Sequence, residues 1–159
     1  MSTICYTSSF DKVKDLIEMG YEDFISIAGN TPDWFSEKIG KDSRFKKLCC
    51  LAPKYSWWKD WKDGKLTNED YEKLYKETVL DKLDYKEFKT SFGCNSVFLC
   101  YEDSNEFCHR HLFAKWIKEE HKKFCGSDDE DLVREIEIPN EFVYMIIEEY
   151  YGETDVISV

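Results

Sequence analysis

The hydrophobic positions of the chain fall into short continuous runs and longer helical patterns. Three apolar runs have the length expected of buried strands: residues 3–7, 23–28 and 97–101. Between the first two runs, Val13, Leu16 and Ile17 share one helical face, and Gly20 follows as a stop signal. Because a helix joins two strands, the pattern predicts a parallel βαβ unit at the amino end of the chain.

Helical and extended patterns alternate in the rest of the chain. Thr67 is predicted to cap a helix that begins directly after it, and a further helical segment covers residues 85–91. Residues 48–53 are predicted to form a short extended segment. Residues 133–138 alternate between apolar and polar, which predicts a half-exposed edge strand, and residues 139–151 have a helical pattern.

Most of the reactive side chains follow the third apolar run. This run leads into a polar turn and then into a helical pattern that contains Cys108, His109 and Arg110. If Ser104 or Asn105 caps the helix, Cys108 lies in its first turn, where the helix dipole favours the thiolate. Ligands of open α/β sheets bind beyond the carboxyl ends of the strands. The sequence therefore predicts a ligand site at this junction.

The residue types at the junction indicate a chemistry. We predict that Cys108 is a nucleophile or a ligand contact, and that His109 or Glu102 moves a proton. Arg110 is predicted to bind a phosphate or carboxylate group. Further ligand contacts are expected from residues at the ends of the neighbouring strands: Asn30, Thr31 and Tyr101.

Other interpretations of these residues stay open. A buried cysteine is often only a small apolar residue, and Arg110 has acidic neighbours with which it could pair: Glu102, Asp103 and Glu106. A metal site could draw on nearby side chains: Cys100, Cys108, His109, His111 and Cys125. Their C-x7-C-H-x-H spacing matches no paired zinc-knuckle pattern, so neither a metal nor another cofactor is predicted. The same spacing permits a redox pair between Cys100 and Cys108 without requiring one.

An aromatic group precedes the Thr67 helix. It consists of Tyr55, Trp57, Trp58 and Trp61, with lysines at positions 54, 59 and 62. Such a group either stacks on a base or carbohydrate ring or forms a small satellite core covered by lysine side chains.

Length and charge limit the classes of function. At 159 residues the chain is predicted to be a single α/β domain, residues 1–159, with a mostly parallel sheet and an acidic extension over residues 126–159. The formal charge of -11 argues against general nucleic-acid or anionic membrane binding. No run approaches the roughly 20 apolar residues of a membrane span, and a signal-peptide pattern is missing, so a cytoplasmic location is expected. The seven cysteines, an odd number at irregular spacing, argue against a secreted disulfide framework and predict that most are free thiols in the core.

The motif around the reactive cluster resembles a known family. Residues 97–117, V-F-L-C-Y-E-D-S-N-E-F-C-H-R-H-L-F-A-K-W-I, are similar to the signature of the bacterial and phage "domain of unknown function 488" family. Earlier segments agree in kind and order: C-Y-T-S at 5–8, I-S-I-A-G-N-T-P at 25–32 and L-A-P at 51–53. The resemblance covers about residues 3–120 and implies a compact, three-layer, Rossmann-like α/β domain, but no settled activity. The positions that match the family motif are Cys100, Glu102, Cys108, His109 and Arg110.

Two functions of different classes are consistent with these features. The first is an enzyme, a cysteine-dependent hydrolase or transferase, that acts on a small anionic ligand such as a nucleotide, a nucleoside or a nucleic-acid base. The alternative is a non-catalytic binding module that sequesters a nucleotide or blocks a host protein partner through its acidic surface, because an acidic face imitates nucleic acid towards a basic protein. A third interpretation gives the C-H-R block only a structural role in capping and packing its helix.

Overall fold

The computed structural model of the chain describes residues 4–92, 95–102, 106–126 and 131–136. Some sequence-based predictions concern residues outside these ranges. They are the capping roles of Ser104 and Asn105, the last two residues of the predicted strand at 133–138, the helical pattern at 139–151, and most of the acidic extension.

Five parallel strands form the central sheet. They are β1 (Cys5–Ser9), β2 (Asp23–Ser26), β3 (Phe45–Lys47), β4 (Ser96–Cys100) and β5 (Val133–Glu135). The order across the sheet is β3-β2-β4-β1-β5. Every residue of β4 is buried, as expected for the middle strand of a parallel sheet that is covered on both faces. The prediction of an α/β domain with a parallel sheet is confirmed, and β5 lies at an edge as its alternating pattern predicted.

Helices cover both faces of the sheet and give the domain three layers. The helices of the described part are α1 (Val13–Glu18), α2 (Asp33–Ser36), α3 (Tyr55–Lys62), α4 (Asn68–Thr78), α5 (Tyr85–Ser91) and α6 (His109–Cys125). Leu16 of α1 and Phe35 of α2 contribute to the core on one face of the sheet. The other four helices form the larger core on the opposite face, through residues such as Tyr71 and Phe113.

Alternation along β4 divides its side chains between these two cores. Val97 and Leu99 belong to the core beneath α1 and α2. Phe98 points to the opposite face and contacts Phe88 of α5 and Phe113 of α6, with ring centroids 5.8 Å and 5.1 Å away. A strand whose side chains are apolar in both directions is therefore fixed in register from both faces.

Local signals in the sequence predicted two helices well. Thr67 caps α4 with a capping box, in which Thr67 Oγ1 accepts from the Asp70 N–H while the Asp70 carboxylate accepts from the Thr67 N–H. Helix α5 spans the residues predicted for it.

Other local predictions were wrong in detail. The segment 48–53 was expected to be extended, but Cys49–Leu51 form a 3-10 turn and the strand lies just before it, as β3. Helix α6 begins at His109, so Cys108 is its N-cap and does not lie in its first turn. The backbone of Cys108 is extended, with φ -154° and ψ 146°, because the chain has not yet turned into the helix.

The strand order creates a topological switch between β2 and β4. These strands are neighbours, yet from β2 the chain continues through α2 to β3, and from β4 it continues through α6 to β5 on the other side of the sheet. The two connections leave in opposite directions and on opposite faces, so a crevice opens at the carboxyl ends of the two strands.

Candidate functional site

A cleft of about 260 Å³ lies in this crevice. Its walls come from the loop after β2, the end of β4 and the segment after it, the start of α3, and the start of α6. The lining residues are Ala28, Gly29, Asn30, Pro53, Tyr55, Trp58, Cys100, Tyr101, Glu102 and His109. Most of this wall is apolar or aromatic, with a few polar groups converging on it, which is the usual composition of a small-molecule site.

Two cysteines lie together at the inner end of the cleft. Cys100 is the last residue of β4 and Cys108 is the N-cap of α6, and a disulfide bond joins their Sγ atoms. The other described cysteines are free thiols, as predicted, but only Cys5 among them is buried. Their Cα atoms are 7.6 Å apart, which is more than the usual 4.4–6.8 Å of a disulfide. Cys100 lines the cleft, whereas Cys108 lies behind it and is 3% exposed.

His109 is held in one orientation beside these sulfurs. Its Nε2 lies 2.7 Å from the carbonyl oxygen of Ile27, an atom that only accepts, so Nε2 carries the proton. Nδ1 is then the unprotonated nitrogen, and it lies 3.8 Å from Cys108 Sγ. Burial lowers the pKa of His109 to about 4, and the charge of Arg110 acts in the same direction. The imidazole is therefore neutral at physiological pH.

Arg110 is turned away from the cleft. Its side chain is fully buried, and it forms a two-point ion pair in which Nε and Nη2 donate to the Glu135 carboxylate, both at 3.0 Å. Its Nη1 donates to Cys100 Sγ at 2.9 Å. Among the residues that the structure describes, Glu135 of β5 is thus the ion-pair partner of Arg110. This geometry makes Arg110 a positioning residue for Cys100, in place of the predicted ligand contact.

The structure brings together only part of the predicted binding set. Asn30, Tyr101 and Glu102 line the cleft, and Tyr101 is half exposed. Thr31 does not line it, because this side chain is buried and its Oγ1 is 2.6 Å from Ser26 Oγ. Thr31 therefore fixes the loop after β2, whereas its neighbour Asn30 lines the cleft.

The aromatic group of α3 divides between the packed core and the wall of the cleft. Trp57 and Trp61 are four residues apart and both pack edge-on against Tyr71 of α4, with ring centroids 4.9 Å away. Tyr55 and Trp58 are three residues apart, contact each other at 6.1 Å, and line the cleft. The i,i+3 and i,i+4 spacings separate the two faces once the segment is known to be a helix. A weak hydrophobic pattern concealed that helix.

The start of α3 and the start of α6 both face the cleft. Their first residues, Tyr55 and His109, line it, and neither helix has a side-chain hydrogen bond at its N-cap. Helices α4 and α5 are capped by Thr67 and Asp84. Free N–H groups at a helix start carry partial positive charge and attract anions. Lys47 adds a cation at the rim, where its Nζ is 3.3 Å from the Gly29 carbonyl oxygen.

Among the residues that the structure describes, one group of side chains has the donors and spacing to hold a metal ion. It consists of Cys100, Cys108 and His109, whose ligand atoms all lie within 4.8 Å of one another, and all three residues are buried. The other two residues that the sequence offered, His111 and Cys125, are not members of this group. Cys125 is exposed at the far end of α6.

Comparisons of the chain with known proteins leave its family open. No protein-family model matches the chain, and neither the curated proteins nor the solved structures contain a significant match. None of the described helices combines the length and the apolar character needed to cross a bilayer. The resemblance to the domain of unknown function 488 family therefore stays a prediction, and the functional argument depends on the geometry of the cleft.

Proposed function

We propose that this chain is an enzyme that acts on a small anionic ligand of the nucleotide, nucleoside or nucleobase class, bound in the cleft between β2 and β4. The observation that carries the proposal is the position of the Cys100, Cys108 and His109 cluster at the inner end of an aromatic-walled cleft. Reactive side chains that lie at a topological switch point, beside a wall for a planar ring, are typical of an α/β active site.

The aromatic wall supports a planar ligand. Trp58 and Tyr55 line one side of the cleft, and Tyr101 lines it from the end of β4. Trp58 is partly buried, so its ring is held in place and offers one face for stacking. Stacking of a base on an aromatic ring contributes about 1–3 kcal/mol and tolerates any base.

The charges around the cleft support an anion. The uncapped starts of α3 and α6 and the Lys47 ammonium at the rim supply positive potential. Lys54, the exposed N-cap residue of α3, stands between two lining residues. The acidic group of the wall is Glu102, which we assign as the proton carrier of the reaction, because a carboxylate beside a bound anion serves as a base and not as a binder.

The reactive centre of the proposed enzyme is the cysteine and histidine cluster. Cys100 is the sulfur that lines the cleft, and Arg110 Nη1 donates to it at 2.9 Å. Cys108, which the sequence suggested as nucleophile, lies behind it in the same cluster, and His109, suggested as base, also lines the cleft. Arg110 acts through Cys100 and Glu135 instead of on the ligand.

Equilibrium binding of a ligand panel tests the proposal. Calorimetry with nucleoside mono- and triphosphates, free nucleosides and free bases is expected to find at least one ligand for the wild-type chain. Trp58→Ala should weaken its binding about 5- to 150-fold, the equivalent of the 1–3 kcal/mol of one stacked base. Trp34→Ala is the matched control, since Trp34 is exposed and does not line the cleft. Failure of the whole panel to bind, or equal weakening by both substitutions, would contradict the proposal.

A further inference from the structure

We propose that Cys100 Sγ, Cys108 Sγ and His109 Nδ1 form a binding site for a divalent zinc ion, with the fourth coordination position open to the cleft. The site itself stands on the positions of these three side chains. The catalytic role given to the metal below rests on the proposed function.

The donor set is one that zinc prefers. Two cysteine thiolates and one neutral imidazole are soft and borderline ligands, and a set of two Cys and one His leaves the fourth tetrahedral position for water or substrate in catalytic zinc sites. Two thiolates also balance the charge of the ion, so the buried site becomes neutral when it is filled. Hard cations such as Mg²⁺ prefer oxygen ligands, which this cluster does not offer.

The distances suit a single tetrahedral ion. Zn–S bonds of about 2.3 Å and Zn–N bonds of about 2.0–2.1 Å place two ligand atoms about 3.5–3.8 Å apart. Cys108 Sγ and His109 Nδ1 are already 3.8 Å apart. The disulfide between the two sulfurs has to be reduced so that the Sγ atoms can separate. The 7.6 Å between the Cα atoms of Cys100 and Cys108 then leaves room for an ion between the sulfurs.

The surrounding hydrogen bonds orient the three ligands. The Ile27 carbonyl accepts from His109 Nε2 at 2.7 Å, which turns the lone pair of Nδ1 towards Cys108. A metal-bound histidine usually donates its other ring N–H in this way. On the other side, Arg110 Nη1 donates to Cys100 Sγ at 2.9 Å, and Glu135 holds the guanidinium in place. Such donation stabilises a ligating thiolate.

The ligands come from two elements that meet only in the fold. Cys100 ends β4, whereas Cys108 and His109 begin α6. Paired knuckle spacings describe ligands that share one tight loop, so a site built from a strand end and a helix start escapes that pattern. This is why the spacing in the sequence gave no indication of a metal.

The site requires the reduced form of the two cysteines. A thiol reductant supplies two electrons and two protons, which break the S–S bond and give two thiols. Binding of Zn²⁺ then forms two Zn–S bonds and one Zn–N bond and releases two protons to the solvent. A zinc ion with an open position lowers the pKa of a bound water to about 7. Glu102 lies on the wall of the same cleft, and in the proposed function it is the group that accepts this proton, so the reaction would be a metal-assisted hydrolysis.

The metal content of the reduced chain tests the site. The protein is reduced with a phosphine, which ligates zinc only weakly, loaded with Zn²⁺, dialysed against a weak chelator, and measured by elemental mass spectrometry. We expect one zinc per wild-type chain. Cys100→Ser and Cys108→Ser are each expected to lower the affinity at least 10-fold. Cys125→Ser is the matched control, because Cys125 is exposed at the other end of α6, and it should retain full stoichiometry.

Cobalt substitution of the wild-type chain gives a second readout that needs no variant. Co²⁺ bound by thiolates shows a thiolate-to-metal charge-transfer absorption, and the expected spectrum is that of a four-coordinate ion with two sulfur ligands. Wild-type protein with no stoichiometric zinc and no such absorption would overturn the site, as would Cys100→Ser that binds zinc like wild type. Nucleotide binding by metal-free protein is measured separately, so failure of the proposed function is distinguishable from failure of the metal site.

Discussion

Two buried cysteines at opposite ends of neighbouring strands have very different surroundings. Cys5 begins β1, is fully buried, and belongs to the apolar core beneath α3 to α6. Cys100 ends the adjacent strand β4, is just as buried, and contacts Cys108 Sγ and the Arg110 guanidinium. Burial raises the pKa of the Cys5 thiol to about 12, which makes it chemically inert. The Cys100 sulfur instead has a polar partner, because Arg110 Nη1 donates to it at 2.9 Å.

The comparison shows that the position of a cysteine at the amino or carboxyl end of its strand, and not its residue type, determines its surroundings in this fold. At the amino end of β1, Cys5 lies within an apolar core. At the carboxyl ends the chain leaves β2 and β4 in opposite directions, so polar groups from α6 and β5 reach the strand ends. A buried cysteine is thus a core residue at the amino end of β1, as Cys5, and part of a candidate active site at the carboxyl end of β4, as Cys100.

The largest effect on stability is expected from removing the Glu135 carboxylate, which pairs with Arg110 at the carboxyl ends of the strands. Glu135→Ala leaves the Arg110 guanidinium fully buried without its ion-pair partner, and it also removes the acceptor of Thr7 Oγ1. Breaking a buried pair from one side costs about 3–5 kcal/mol. Urea unfolding of the reduced protein at neutral pH should show a loss of this size.

The matched control for Glu135→Ala is a substitution in an exposed ion pair between α4 and α6. Lys115 and Glu72 are 3.7 Å apart, and both side chains are about half exposed. Glu72→Ala is therefore expected to change the free energy of unfolding by less than about 0.5 kcal/mol. Equal effects of the two substitutions would show that Arg110 is not a buried charge that depends on Glu135.

Identical replacements at the two cysteines should have different consequences for stability. Cys5→Ser places a hydroxyl group among apolar side chains, at a cost of about 1–3 kcal/mol. Cys100→Ser gives the hydroxyl a donor in Arg110, so we expect a loss of about 1 kcal/mol or less in the reduced protein. Chemical denaturation of both variants measures the difference. A larger loss of stability for Cys100→Ser than for Cys5→Ser would contradict the claim that Cys100 has polar surroundings and Cys5 has apolar ones.

The two thiols should also differ in reactivity in the reduced, metal-free protein. With a pKa of about 12, on the order of one Cys5 thiol in ten thousand is ionised at pH 8. Iodoacetamide is therefore expected to spare Cys5 until the chain unfolds, while it modifies Cys100 through the cleft. Peptide mass spectrometry over a time course gives both rates. Modification of Cys5 in the folded protein at the rate of Cys100 would remove the distinction between them.

The fold was largely predictable from the sequence because its signals are local. Apolar runs indicated β1, β2 and β4, alternation indicated β5, and Thr67 marked the start of α4 through its cap. The short strand β3 was missed, because the extended segment was predicted just after it. The site was predictable in position, since it lies where polar residues follow β2 and β4. The pairings between side chains within the candidate site were not predictable. The pairing of Arg110 with Glu135 and the approach of Cys100 to Cys108 depend on which strands become neighbours, and a single sequence does not state the strand order.

The rate of alkylation of Cys100, with and without a nucleotide panel, tests the central claim most directly. The reduced, metal-free chain is labelled at neutral pH, and Cys125 serves as the internal reference because it lies about 24 Å away along the 17-residue helix α6. The account predicts that at least one nucleotide slows the labelling of Cys100 and leaves Cys125 unchanged. If every nucleotide leaves the Cys100 rate unaltered at saturating concentration, the cleft is not the site of a nucleotide-like ligand.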